Sequence, residues 1–197
     1  DLAMNKEWVH AFNRKVMDVN RALGDLYFAE IGDYVDMVLV GDDLATQSAP
    51  FMSPATFREM VKPYFREYVQ HIRGHCPNAR IAHHSCGSSF RLLDDIAEIG
   101  VEVINPVQTN AEEMEPENLA QKKDKFSFHG GGDLQYILPH GTVEEVAEFV
   151  KELVRHLAPG GGFVLAPCHT LPEDVRPENV VALFEAAHKW GHYPINV

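Results

Sequence analysis

Short apolar runs alternate along the chain with longer stretches whose apolar residues recur every three to four positions. The short runs predict β-strands, and the longer stretches predict amphipathic helices. Five strands are predicted in this way, at 36–40, 80–84, 101–105, 126–129 and 162–166. Because strands that alternate with helices usually pair in parallel, this order of elements predicts an α/β fold built on one parallel sheet.

Capping residues and prolines mark where several helices begin and break. Ser53 followed by Pro54 predicts a helix start, and Pro63 in the periodic run that follows predicts a kink. Thr142 with Glu145 predicts a capping box at the start of another helix. These signals place helices between the predicted strands, as a sheet covered by helices requires.

Glycines allow two interpretations of the first helical segment, and they predict a turn in a later segment. The opening stretch, 6–31, predicts either one long helix or two helices with a break near Gly24. The three glycines of 130–132 lack the lysine of a phosphate-binding loop and the spacing of a dinucleotide motif. They predict a tight turn between a strand and a helix.

Composition excludes several functional classes. The chain has 17 Lys and Arg against 29 Asp and Glu, a net charge of −12, which disfavours binding to nucleic acid or to an anionic membrane surface. A hydrophobic fraction of 45% excludes intrinsic disorder, and the apolar runs are far shorter than the roughly 20 residues of a membrane span. We therefore expect a soluble protein. Three cysteines predict a reducing compartment such as the cytoplasm.

Polar residues cluster directly after the predicted strands, at 41–43, 83–86, 105–108, 129–133 and 167–169. In a parallel α/β fold the carboxyl ends of the strands open on one side, so these segments are predicted to converge on one cleft. Loops are generally polar, which is the alternative explanation. The predominance of Asp, His and Cys over Ser, Lys and Glu favours a functional site.

The sharpest candidate chemistry is a histidine and two cysteines. His84 and Cys86 are two residues apart at the end of a strand, so their side chains point the same way, and Cys168 follows another strand. One imidazole and two thiolates suit zinc, which in catalytic sites uses three protein ligands and leaves a fourth position open. The alternative is that both cysteines are small buried apolar residues.

The segments that carry these residues resemble the uroporphyrinogen decarboxylase superfamily. They are Gly-Asp-Asp-Leu-Ala-Thr-Gln at 41–47, His-Ser-Cys-Gly-Ser at 84–88, Asn-Pro-Val-Gln at 105–108, His-Gly-Gly at 129–131, and Gly-Gly-Gly-Phe-Val-Leu-Ala-Pro at 160–167. The resemblance implies a TIM-type (β/α)8 barrel. The whole chain, 1–197, would be one domain of this kind, the carboxyl-terminal portion, which supplies about the last five strands of a partial barrel. Because position 1 is not Met, we expect a processed chain or a piece of a longer one.

The resemblance is closest to the zinc- and corrinoid-dependent methyltransferases of that superfamily. In these enzymes a His-x-Cys pair and a later Cys hold zinc, and His84, Cys86 and Cys168 match these positions. The implied reaction moves a methyl group between methylcobamide, carried on a corrinoid partner protein, and a small thiol or methylated small molecule. Six polar residues are then expected to contact substrate, orient ligands or line the cleft: Asp42, Asp43, Gln47, Gln108, His129 and His169.

Two alternatives remain from the sequence. The first is uroporphyrinogen decarboxylase activity in porphyrin biosynthesis, without metal; His169 matches a substrate-side histidine of that enzyme, although Cys168 replaces the glycine before it. The second is a non-catalytic partial barrel that acts as a binding module. A sheet with two open edges exposes unpaired backbone groups, so we expect the chain to pair with the missing amino-terminal barrel part or to self-associate.

Overall fold

The computed structural model describes residue 2 and residues 4–197. A five-stranded parallel sheet forms its centre, and the strands lie side by side in chain order. They are β1 (Met37–Val40), β2 (Arg80–His84), β3 (Val103–Val107), β4 (Ser127–Gly132) and β5 (Phe163–Pro167). All five predicted strands are therefore confirmed. The third lies two residues later than expected, so that Asn105 is at the centre of β3 and Val107 at its end.

Helices occupy the connections between the strands. They are α1 (Lys6–Ile31), α2 (Pro54–Met60), α3 (Lys62–His75), α4 (Leu93–Ile99), α5 (Pro116–Ala120), α6 (Ile137–His140), α7 (Val143–Leu157) and α8 (Pro177–Trp190). Short 3₁₀ helices at Gly32–Tyr34 and Phe90–Leu92 complete the described elements. This repeated strand and helix order is that of a (β/α)8 barrel, of which the chain forms a part.

The two faces of the sheet differ in burial. Ile81, Ile104 and Phe128 point towards the helices and are at most 2% exposed, in the core that the helices cover. Leu39 and Val164 point to the opposite face and are 52% and 58% exposed. In a closed barrel the second face is the packed interior. Here that interior is open to solvent.

Most of the helix signals behave as the sequence predicts, but the run that contains Pro63 is divided into two helices rather than kinked. Ser53 caps α2, since its hydroxyl accepts a hydrogen bond from the Thr56 backbone at 3.1 Å. The helix breaks at Val61, two residues before Pro63, so that α2 and α3 are separate elements. The capping box of Thr142 and Glu145 is present at the start of α7. The first helix, α1, is continuous through Gly24, which resolves the alternative that the sequence left open.

The expected turn at the three glycines is wrong. Gly130 to Gly132 form the end of β4 and pair with β5. The reason is a close approach between strands: Gly130 has φ of +125°, and a Cβ there would lie 2.7 Å from the Val107 backbone nitrogen. Glycine allows β4 to pass this close to β3, whereas a side chain would not.

The helices of the described residues do not include one that is both long and apolar enough to cross a membrane.

Candidate metal centre at the carboxyl ends of the strands

Three potential metal ligands converge where β1 and β2 end. Asp43, His84 and Cys86 each offer one ligand atom, and these atoms lie within 4.8 Å of one another. His84 Nε2 is 3.8 Å from Cys86 Sγ. The Cys86 backbone N–H donates to Asp43 Oδ1 at 2.8 Å, which holds the carboxylate beside the pair. A carboxylate, an imidazole and a thiol form a donor set that suits zinc.

The orientation of His84 is fixed by Asn105, its partner in the register between β2 and β3. Asn105 Oδ1 lies 2.7 Å from His84 Nδ1, and Asn105 Nδ2 lies 3.0 Å from His129 Nδ1. Because a carboxamide oxygen only accepts, His84 carries its proton on Nδ1, and the lone pair on Nε2 faces Cys86. Asn105 was not among the candidate site residues predicted from the sequence; its position beside His84 on the next strand is the signal that could have identified it.

The loops after β1 and β2 are bound tightly to each other. The Leu44 backbone donates to Ser85 Oγ at 2.9 Å, and the Ser88 backbone donates to the Thr46 carbonyl at 2.8 Å. Gly87, at φ of +84°, approaches so closely that a Cβ would lie 2.4 Å from that carbonyl oxygen. These contacts fix Asp43 relative to Cys86.

Gln47 and Gln108 form a bridge across the same rim. Gln108 accepts from the Gly87 backbone and donates to Gln47 Oε1, both at 2.8 Å. Gln47 in turn donates to the Asn110 carbonyl at 2.6 Å. The two side chains thus link the loops that follow β1, β2 and β3 by hydrogen bonds. These loops include the ones that carry Asp43 and Cys86.

Cys168 lies at the end of β5 but outside the 4.8 Å group of ligand atoms. Its Sγ–H donates to the Val107 carbonyl at 2.9 Å. Burial raises the pKa of this thiol to about 12, although a hydrogen bond from the Gly131 backbone opposes the shift. The ligand set of His84, Cys86 and Cys168 therefore stays a prediction, because the structure pairs the first two and turns the third towards a carbonyl.

The remaining predicted site residues occupy two different surroundings. The His169 ring is 6.3 Å from that of His84 and tilted by 68° to it, and His129 is joined to His84 through Asn105. Asp42 instead lines a cavity of about 650 Å³ between α1, α3 and the edge strand β1. His83 lines the same cavity, and burial lowers its pKa to about 4.

Charge around the candidate ligands favours a cation. Burial, and then the nearby Asp43 carboxylate, raise the pKa of Cys86 above its ordinary value. The five segments at the carboxyl ends of the strands, 41–47, 84–89, 105–110, 129–135 and 167–170, contain neither Lys nor Arg. A divalent cation would neutralise this acidic rim and would allow the thiol to ionise.

The sequence model of the uroporphyrinogen decarboxylase family matches residues 1–190. The chain belongs to this family. The match confirms the resemblance drawn from the strand-end segments, and it covers every candidate ligand described above. No curated protein matches the chain.

A solved structure of a methyltransferase from Methanosarcina mazei is similar to this family member. The TM-score is 0.61 at 21% sequence identity, and the similarity covers 89% of this chain and 48% of the other. The chain thus spans about half the length of the structure that it matches. At this identity the similarity establishes the fold, and it confirms the predicted partial barrel.

Proposed function

We propose that the chain takes part in zinc-dependent methyl transfer, with the metal held at the rim described above. One observation carries the proposal: His84 Nε2 and Cys86 Sγ are 3.8 Å apart, and Asn105 fixes the imidazole so that the free lone pair faces the sulfur. A carboxamide or carboxylate that orients a ligand histidine is a regular feature of protein zinc sites.

The residues present fit the metal. His84 and Cys86 are the proposed first two ligands, and Cys168 is the proposed third, as the methyltransferase motif implies. To hold the ion, Cys168 would give up its hydrogen bond to the Val107 carbonyl, and Asp43 offers a further ligand atom within 4.8 Å of the first two. Zinc bound there would lower the pKa of a coordinated substrate thiol and so make it nucleophilic at neutral pH.

The surrounding side chains would prepare the site for substrate. Asn105 donates to His129 Nδ1, so His129 carries its proton on Nε2 and can donate it to a bound molecule. The His169 ring lies beside that of His84. Gln47 and Gln108 hold the rim rigid. We propose that the Asp43 carboxylate balances the charge of the cation. Asp42 lines the neighbouring cavity, and we propose that it contacts substrate there.

The proposed partners follow from this chemistry. The methyl donor would be methylcobamide carried on a corrinoid protein, and the acceptor a small thiol, or a methylated small molecule in the opposite direction. The fold shared with a methyltransferase supports this assignment, as does the His-x-Cys motif. The three cysteines are free, which fits the reducing cytoplasm as the proposed compartment.

Metal analysis and turnover test the proposal together. We expect the purified chain to bind zinc at the rim, Cys86→Ser to lose that zinc, and Cys76→Ala, which changes a buried cysteine on the helix side, to retain it. Methyl transfer from methylcobalamin to a small thiol would follow the metal content. A protein that binds no zinc through Cys86 and that decarboxylates porphyrinogens would overturn the proposal.

We further propose that additional β/α units complete the barrel along the open edge of β1. The cavity of about 650 Å³ lies between α1 and this edge, and β1 exposes Met37 at 46% and Leu39 at 52%. In a complete barrel α1 would also cover the strand before β1, so the cavity has the position of that strand. The similar structure is about twice as long, which supports the existence of such units.

A further inference from the structure

A second group of potential metal ligands lies away from the strand ends, between α1 and α3. Asp25 of α1 faces His71 and His75 of α3, and one ligand atom from each lies within 4.8 Å of the other two. Asp25 Oδ1 is 3.0 Å from His75 Nε2 and 3.3 Å from His71 Nε2. The two histidines are four residues apart, so they occupy one face of the helix, the arrangement that helical zinc sites use.

The hydrogen bonds of the group leave one nitrogen unsatisfied. His75 Nε2 is hydrogen-bonded to Asp25, whereas His71 Nε2 is buried and, within the described part of the chain, has no hydrogen-bond partner of acceptable geometry. A buried ring nitrogen without a partner is costly. A cation placed between the three atoms would satisfy both ring nitrogens and the carboxylate at once.

The geometry leaves room for such an ion. Tetrahedral zinc with bonds of about 2.0 to 2.1 Å separates its ligand atoms by about 3.3 Å, close to the two distances from Asp25. Gly24 also contributes, since a Cβ at this position would lie 3.1 Å from His71 Nε2. The absent side chain lets α1 approach the imidazole. Asp25 is 60% exposed, so the site opens to solvent on the side of the carboxylate.

We propose that Asp25, His71 and His75 bind a divalent transition-metal ion, with Zn²⁺ the best match to two imidazoles and a carboxylate. Water would occupy the fourth position. The ion would bind α1 to α3 and so hold the outer wall of the cavity next to β1. This site shares no ligand with the rim, and the proposal does not depend on the proposed methyl transfer.

Cobalt and zinc titrations of the whole chain test this second site. We expect Cys86→Ser to retain one equivalent of Co²⁺ that shows no thiolate charge-transfer absorption. In that background Asp25→Asn and His71→Ala should each weaken binding by at least about tenfold. His188→Ala, which changes an exposed helical histidine, should leave it unchanged. If only the rim proposal fails, the wild-type chain will bind this single equivalent as well.

Thermal unfolding gives an independent measurement. Zn²⁺ at about one hundred times its Kd should raise the Tm of the Cys86→Ser variant by about 5 °C, and Asp25→Asn at the same Zn²⁺ concentration should reduce this rise by about half or more. Asp25 is exposed, so the Asn variant is expected to fold. The proposal is overturned if Cys86→Ser binds no metal, or if Asp25→Asn and His71→Ala both bind it with unchanged affinity.

Discussion

His84 Nδ1 lies 2.7 Å from Asn105 Oδ1, and this contact determines which nitrogen of the histidine can bind a metal. The acceptor oxygen keeps the proton on Nδ1 and leaves Nε2 free beside Cys86. The same carboxamide continues to His129, so one side chain orients two rings from neighbouring strands. The rim is therefore already arranged before an ion arrives.

The contribution of Asn105 can be measured as metal affinity. Asn105→Ala removes the acceptor that orients His84, so we expect zinc to bind 10 to 100 times more weakly, about the cost of losing a partner of this kind. Asn105→Asp keeps the acceptor and should retain most of the affinity. Competition with a chromophoric chelator measures both. Equal affinity of the Ala variant and the wild type would show that the hydrogen bond has no role in binding.

Proton release can decide whether Cys168 is a ligand. Burial raises the pKa of both Cys86 and Cys168, so both are thiols at neutral pH, and coordination must remove their protons. We expect zinc binding to release close to two protons from the wild type and one from Cys168→Ser. Calorimetry in buffers of different ionisation enthalpy measures this number. The same release from both proteins would mean that Cys168 is not coordinated.

The strand approach at Gly130 predicts a large stability effect. Gly130→Ala places a Cβ 2.7 Å from the Val107 backbone nitrogen at φ of +125°, and we expect a loss of about 3 kcal/mol or more of unfolding free energy. Gly160→Ala is the matched control, since its φ is +81° but nothing lies within 4 Å of the added atom. It should cost about 1 kcal/mol. Urea unfolding of both variants would reveal equal losses if the contact has no effect.

Asp95 predicts how stability depends on acid. Burial alone would raise its pKa, but hydrogen bonds from Arg58 and Lys62 hold the pKa below the ordinary value. A carboxylate with a lowered native pKa stabilises the fold above the unfolded pKa of about 3.9, and this contribution is lost as the pH falls through the native pKa.

The corresponding variant is Asp95→Asn. At pH 7 it should lose about 2 kcal/mol or more of unfolding free energy, because Lys62 remains buried with less compensation. The difference from the wild type should shrink below about pH 4. Asp94→Asn, at an exposed neighbouring ion pair, should cost less than about 1 kcal/mol. Denaturant unfolding across this pH range would contradict the account if the Asp95 difference stayed constant.

The open edge of β1 predicts association of the isolated chain. Leu39 is 52% exposed on the face that forms the interior of a closed barrel, and we expect sedimentation velocity to show self-association that Leu39→Lys weakens. Leu171→Lys, at another exposed leucine, should not change it. A wild-type chain that remains monomeric at high concentration would argue that the edge needs no cover.

The sequence predicted the strands well because a short apolar run is a local pattern. Their parallel pairing follows from the alternation of strands with helices. The sequence placed Asp43, His84 and Cys86 near one rim for the same reason, since strand ends converge in a parallel sheet. The sequence did not predict the features that depend on the register between strands and on the distance between backbones. Asn105 acts through its position beside His84 on the next strand, and Gly130 lies in β4 because Val107 is so close. The group formed by Asp25 required two helices to be docked before it could be seen.

The hydrogen bonds between the loops after β1 and β2 have a mechanical consequence. Leu44 is hydrogen-bonded to Ser85, and Thr46 to Ser88, next to the hydrogen bond between Asp43 and Cys86. β1 is also, with β5, one of the two edge strands of the sheet in the described chain. A neighbour that docked along this strand would therefore be separated from Cys86, the proposed sulfur ligand, by only one layer of loop contacts, so assembly would be expected to change the metal affinity.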